Sequence, residues 1–371
     1  MIIHIVNSHL TRKGNFGVRA MQICSALEEE NIHFYCMSRG GGKNNTKYFN
    51  FQFFGLIARF LNLFRLKVFP NFNHRKYEKF FFELLVLSKL RNLNIEGNII
   101  HLWEYSEKII DYAHSRRAKV ILEVPNVTQN YIYQILSSKR DLALSFFEKQ
   151  MLSEKGAIER ADLVVVPSQF VMDSACELSP NTRYELIPFG FPPVNLKQTF
   201  VASERALRLL FVGNVDERKG VPTIIEALRL IPEFKCEVRL VGRLGALQKK
   251  TLQQDIRIKY LGFGDPTEHY RWADIFVFPT WCEGSAKVVY EAMSYGLAVL
   301  TTPSSGSLIK HNEDGILFNP GDSKMLSKHL INLSRCRSSI ARIGEKARIT
   351  AEKRPWNKYT SDIMQIYKEF S

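Results

Sequence analysis

Two glutamates, Glu283 and Glu291, flank the run Gly284-Ser285-Ala286-Lys287 in a segment that reads as a helix start. Eight helical positions amount to a rise of about 12 Å, so the two carboxylates cannot share a proton and would hold different parts of a long ligand. Each carboxylate offers two acceptor oxygens, which suits vicinal hydroxyls: a ribose diol at one end and a sugar at the other. Free N–H groups around Gly284, Ser285 and Ala286, with the positive end of the helix dipole, make a site for phosphate. A plainer reading stays open, in which Glu291 pairs with Lys287 across one turn and Glu283 only favours the dipole. A second basic pair, Arg218-Lys219, precedes Gly220 and a helix opened by Pro222. There Lys219 offers a point charge and Arg218 a planar fork, unless both merely solvate an exposed turn.

These residues need strands that end at one place. Short β-branched runs alternate with helical periodicity along the chain, the pattern of parallel sheets covered by helices. The runs predict strands at 2–6, 98–102, 119–124 and 162–166, with a helix over Val18–Glu30. Further strands are expected at Leu207–Val212, Val238–Val241, Ile258–Leu261, Ile275–Pro279, Ala298–Thr301 and Gly315–Phe318, and Gly296 ends the helix that begins near Ser285. The fold class is therefore α/β, with two Rossmann-like domains facing a central cleft, since ligands of open α/β sheets bind outside the carboxyl ends of the strands. Prolines and glycine in Ile187-Pro188-Phe189-Gly190-Phe191-Pro192-Pro193 mark the boundary. This gives a first domain at 1–190, a linker at 191–206, a second domain at 207–355 and a final helix at 356–371 packing back on the first domain.

The length of 371 residues suits two domains. Lysine and arginine total 51 against 37 acidic residues, a net charge of +14, so an anionic partner is expected: a phosphate-bearing substrate, a membrane surface or nucleic acid. The six cysteines form no C-x-x-C pair, which argues against a disulfide framework or zinc ribbon and fits a reducing cytoplasm. The start, Met1-Ile2-Ile3-His4-Ile5-Val6, lacks signal-peptide features and reads as a first buried strand.

The Glu283/Glu291 pair, an E-x7-E arrangement on a strand-loop-helix, closely resembles glycosyltransferase family 4, and the resemblance covers most of residues 207–322. It implies the GT-B architecture and a retaining transfer from a nucleoside-diphosphate sugar, with no separate cofactor. Phe211-Val212-Gly213-Asn214-Val215-Asp216-Glu217-Arg218-Lys219-Gly220 is similar to the family's diphosphate-binding segment. Where many members carry arginine after the glycine, this chain has Asn214, so the missing charge is assigned to Arg218. The resemblance gives Glu283, Lys219 and Arg218 the catalytic roles, and places Glu291 on the ribose. Gly213, Gly284, Ser285, Ala286 and Lys287 would bind substrate, and Gly262 with Phe263 would stand beside the nucleobase. Gly14 and Gly17 resemble the glycine loop near donor phosphate and acceptor. The family's acceptor-side histidine is missing from Ile121-Leu122-Glu123-Val124-Pro125-Asn126, so Glu123 or Asn126 would take its place. No Asp-x-Asp triplet occurs, and metal independence is the expectation.

Residues 49–91 are unusual, with eleven of the 26 phenylalanines between Phe49 and Phe82. Phe53, Ile57, Phe60, Leu61 and Phe64 recur at helical spacing beside Arg59, Arg65 and Lys67, as in an interfacial amphipathic helix. Core-facing helices with a solvated basic side are the alternative. The expected location is cytoplasmic, with peripheral attachment to the inner face of the membrane, and the acceptor a saccharide or lipid-linked saccharide in polysaccharide or glycolipid synthesis. Two competing readings are a nucleotide-sugar epimerase of the same architecture and a nucleic-acid-binding protein. The latter rests on charge alone and finds no recognition module.

Overall fold

The computed structural model describes residues 1–10, 16–41, 43, 46–51, 74–137, 144–193, 205–245, 252 and 255–370. Gly14, most of the expected linker and the whole of the expected helix at 53–67 lie outside the described residues.

The first domain runs β1 (Ile2–His9), α1 (Phe16–Glu29), β2 (Phe34–Gly40), β3 (Tyr48–Asn50), α2 (His74–Arg91), β4 (Ile99–Leu102), α3 (Glu107–Ser115) and β5 (Lys119–Glu123). It continues with α4 (Gln129–Ser137), α5 (Leu144–Arg160), β6 (Leu163–Val166), α6 (Gln169–Leu178) and β7 (Tyr184–Leu186). Its seven strands are parallel in the order β3-β2-β1-β4-β5-β6-β7. A parallel sheet covered on both faces needs strands that are apolar throughout, and Leu163–Val166 is buried at every position.

The second domain runs β8 (Leu207–Val212), α7 (Val221–Arg229), β9 (Cys236–Val241), β10 (Ile258–Gly262), α8 (Thr267–Trp272), β11 (Ile275–Phe278) and α9 (Lys287–Ser294). Then come β12 (Ala298–Thr301), β13 (Ile316–Leu317), α10 (Ser323–Arg335), α11 (Arg337–Glu352) and α12 (Trp356–Phe370). Six parallel strands lie in the order β10-β9-β8-β11-β12-β13. The strand order reverses between β1 and β4 in one sheet and between β8 and β11 in the other, and such switch points open a crevice at the carboxyl ends of the strands.

The helix expected from Val18 starts at Phe16, so Gly17 lies inside its first turn. A Cβ there would stand 2.0 Å from the His9 carbonyl oxygen, so only glycine lets helix and strand approach this closely. The chain passes between domains twice. At the second crossing the Phe191 N–H donates to Arg354 O at 2.8 Å, and Arg354 Nε donates to Pro188 O at 3.0 Å. Helix α12 then lies on the first domain. Its Tyr367 hydroxyl meets His101 Nδ1 and His4 Nε2, and the Phe370 carbonyl accepts from Lys119 Nζ at 2.7 Å.

Helix α2 divides the aromatic segment. Phe82, Val86 and Leu90, at four-residue spacing, enter the core, whereas Phe80, Phe81, Leu84 and Leu85 are exposed. Among the described residues no helix is long and apolar enough to cross a membrane.

Candidate active site

The loops after β8 and β11, the two strands flanking the switch point of the second sheet, converge on Glu283. Arg218 Nη1 donates to Glu283 Oε1 at 3.1 Å and to the Cys282 carbonyl at 3.0 Å, and Lys219 Nζ donates to the same Oε1. The backbone holds the two cations in place: Trp281 N–H and Thr280 Oγ1 both donate to Arg218 O, and Lys219 N–H donates to Asp216 Oδ1 at 2.9 Å. Gly220 has φ +76°, and a Cβ on it would lie 1.8 Å from Pro279 O, so glycine alone lets the Arg218-Lys219 turn pack under the end of β11. Burial pulls the Lys219 amine below its ordinary range, with Glu283 opposing the shift. Burial also works against the Arg218 charge, but Glu283 and the Cys282 groups outweigh it and hold the guanidinium protonated.

The loop carrying Glu283 rests on Thr302–Gly306, a stretch the sequence reading left without a role. Ser304 O accepts from Glu283 N–H and Ser305 O from Ala286 N–H, each at 2.9 Å. The Ala286 N–H, expected to be free for phosphate, is therefore engaged. Ser285 turns its hydroxyl inward to Tyr290 at 2.8 Å, and α9 begins at Lys287, two residues later than expected. Gly284 is one point where the domains touch. Its carbonyl accepts from Ser168 Oγ at 2.6 Å, and a Cβ on it would lie 1.9 Å from Pro125 O and 2.8 Å from Asn126 Cα of the first domain.

Glu291 stands one turn into α9. Its Oε1 meets Lys287 Nζ at 2.9 Å, the pairing of the plainer reading, and its Oε2 accepts from the Tyr270 hydroxyl at 2.9 Å. Tyr270 went unnoticed in the sequence, where it is one aromatic in a short helix. At the strand ends, the Gly213 N–H donates to Val241 O and the Gly262 carbonyl accepts from Gly242 N–H, so both groups serve the backbone. Phe263 is 74% exposed, with the Arg243 guanidinium 4.8 Å from its ring centroid.

On the first domain the geometry separates the two acceptor-side candidates. Glu123 is buried against α12: Tyr359 donates to its Oε1 at 3.4 Å, and burial pushes its carboxyl up to about 8, with Arg19 and Tyr359 opposing. His101 Nε2 lies 3.4 Å from that oxygen without a hydrogen bond, and burial lowers the imidazole to about 3, so the imidazole is neutral and the contact is no ion pair. Glu123 is thus corrected to an internal role under α12. Asn126 is exposed and lies against Gly284. The structure adds Asn7, near the end of β1, which donates through Nδ2 to Glu104 Oε2 at 2.9 Å, just past β4 at the switch point of the first sheet. Their place at the carboxyl ends of two apolar runs was the signal for them. Among the described residues no group of three or more His, Cys, Asp or Glu side chains has a metal-binding arrangement.

Residues 206–335 match the family model described as "Glycosyl transferases group 1". The amylovoran biosynthesis glycosyltransferase AmsK of Erwinia amylovora is 31% identical over 201 residues, 46% of this chain and 49% of that protein. The chain spans about half the length of the curated relatives it matches. Over nearly its whole length the fold is that of sucrose-phosphate synthase from Thermosynechococcus elongatus (TM-score 0.68, 18% identity, 100% of this chain and 98% of the other). It is likewise that of WaaG, a glycosyltransferase involved in lipopolysaccharide biosynthesis (TM-score 0.70, 16% identity, 98% and 99%). The architecture is GT-B, and the epimerase and nucleic-acid readings gain nothing from these relatives.

Proposed function

We propose that this protein is a retaining, metal-independent glycosyltransferase of family 4 that moves a hexosyl group from a nucleoside-diphosphate sugar to a saccharide or lipid-linked saccharide in cell-surface polysaccharide or glycolipid synthesis. The observation that carries it is the convergence of Arg218, Lys219 and Glu283 at a sheet switch point, at the seam with the first domain. In the transfer the anomeric C–O bond to the diphosphate breaks while the acceptor oxygen bonds the same carbon from the same face. The acceptor proton passes to the departing phosphate oxygen. Lys219 and Arg218 stabilise the growing diphosphate charge, Glu283 positions the donor sugar, Glu291 holds the ribose, and Asn126 borders the acceptor.

Glu291→Gln tests the donor side. An amide keeps one acceptor oxygen but loses the charge that strengthens its contacts with hydroxyls, so nucleoside-diphosphate affinity is expected to fall about tenfold. Calorimetric titration checks this, and unchanged affinity would remove Glu291 from the ribose.

The exposed face of Phe80, Phe81, Leu84 and Leu85, with the net charge of +14, supports peripheral attachment to an anionic membrane on its cytoplasmic side. Each basic residue near such a surface contributes about 1 kcal/mol, screened by salt. In sedimentation the protein is expected to follow anionic but not neutral vesicles, and to do so less in high salt and after Phe80→Ser with Phe81→Ser. Indifference to anionic vesicles would make this face an ordinary surface and favour a soluble acceptor.

A further inference from the structure

We infer that Tyr270 is a positioning residue for donor recognition, fixing Glu291 so that one defined oxygen, Oε1, meets the ribose hydroxyls. The inference rests on the assignment of Glu291 to the ribose. The Tyr270 hydroxyl has one proton to give. Its neighbours are the Glu291 carboxylate oxygen at 2.9 Å and the Val288 carbonyl at 3.4 Å, so the shorter contact, to the charged acceptor, takes the proton. The ring cannot turn freely. It stacks on Tyr295 with centroids 5.2 Å apart and planes 16° apart, lies 6.0 Å from Phe276 of β11, and is only 2% exposed. Burial and the adjacent carboxylate hold the phenol well above its ordinary pKa, so it remains a donor.

The two oxygens of Glu291 are therefore unequal. Oε2 is tied to a buried, stacked ring. Oε1 is tied to Lys287, whose side chain is 54% exposed and is replaced by solvent at little cost. An arriving ribose displaces the mobile partner and finds the carboxylate already oriented by the fixed one. Tyr270 sits on α8, seven residues after Phe263, so the same short segment links the loop at the end of β10 to the carboxylate on α9.

The test compares UDP, GDP and ADP with their 2′,3′-dideoxy counterparts, titrated calorimetrically into the wild type, Tyr270→Phe and Glu291→Gln. Phenylalanine keeps the stacked ring and removes only the hydroxyl. The wild type is expected to prefer the ribonucleotide about tenfold or more. Tyr270→Phe should cut that preference at least threefold and leave dideoxy affinity within twofold of wild type. Full preference in Tyr270→Phe, alongside a collapsed preference in Glu291→Gln, would overturn the positioning role alone. Equal loss of ribo and dideoxy affinity would reduce Tyr270 to a structural part and overturn it as well. A wild type indifferent to the ribose hydroxyls would instead overturn the ribose assignment, and this inference with it.

Discussion

Lys219→Ala is expected to lower turnover of the nucleotide sugar about a hundredfold or more, while donor affinity falls only several-fold. In the resting protein Lys219 shares Glu283 Oε1 with Arg218, in a half-buried site where charge is poorly screened. The diphosphate carries more charge on its bridging oxygen as the sugar bond breaks than it does in the ground state. A cation held at that point therefore stabilises the transition state more than the bound substrate. Removing one preorganised donor of this kind typically costs about 10²–10³ in turnover. Arg218 stays behind and keeps much of the ground-state affinity. Steady-state kcat and KM separate the two effects, and an equal loss in affinity and turnover would assign Lys219 to binding alone. The same assay with added chelator should retain its wild-type rate. Strict dependence on magnesium or manganese would contradict a leaving group stabilised by Lys219 and Arg218.

Gly284→Ala should cost turnover comparably, by a different route. The new methyl group would stand 1.9 Å from Pro125 O, 2.8 Å from Asn126 Cα and close to a seam already joined by Ser168 Oγ. All the nearest atoms belong to backbone, which cannot rotate aside as a side chain can, so the two domains must part there by an ångström or more. A displacement of that size at a reacting centre costs about a hundredfold when acceptor and donor are held by different bodies. Nucleoside-diphosphate affinity should fall much less than turnover, because Arg218, Lys219 and Glu291, assigned to diphosphate and ribose, lie in the second domain. Calorimetry alongside turnover measures both, and an unaffected rate would show that this contact plays no part in the productive geometry.

The second sheet was legible because its strands carry apolar, β-branched residues and stop at or near glycine or proline. Phe211-Val212-Gly213 and Val277-Phe278-Pro279 announce both a buried strand and the turn that follows it. β2 was missed because Phe34–Gly40 mixes cysteine, methionine, serine and arginine without a β-branched residue, and β3 and β7 are too short to show a period. Glu283, Arg218 and Lys219 could be chosen from residue type and spacing because their neighbours set the local turns. Glu123 and Asn126 could not be told apart. They lie three positions apart at the end of one strand, and their different surroundings come from α12 on one side and Gly284 on the other, both distant in the chain. Tyr270 and Ser168 are similar cases, since their partners Glu291 and Gly284 stand 21 and 116 residues away. Strand, turn and helix start follow from interactions between near neighbours, which a sequence displays. Which side chain closes a site depends on packing between segments that only the folded chain brings together.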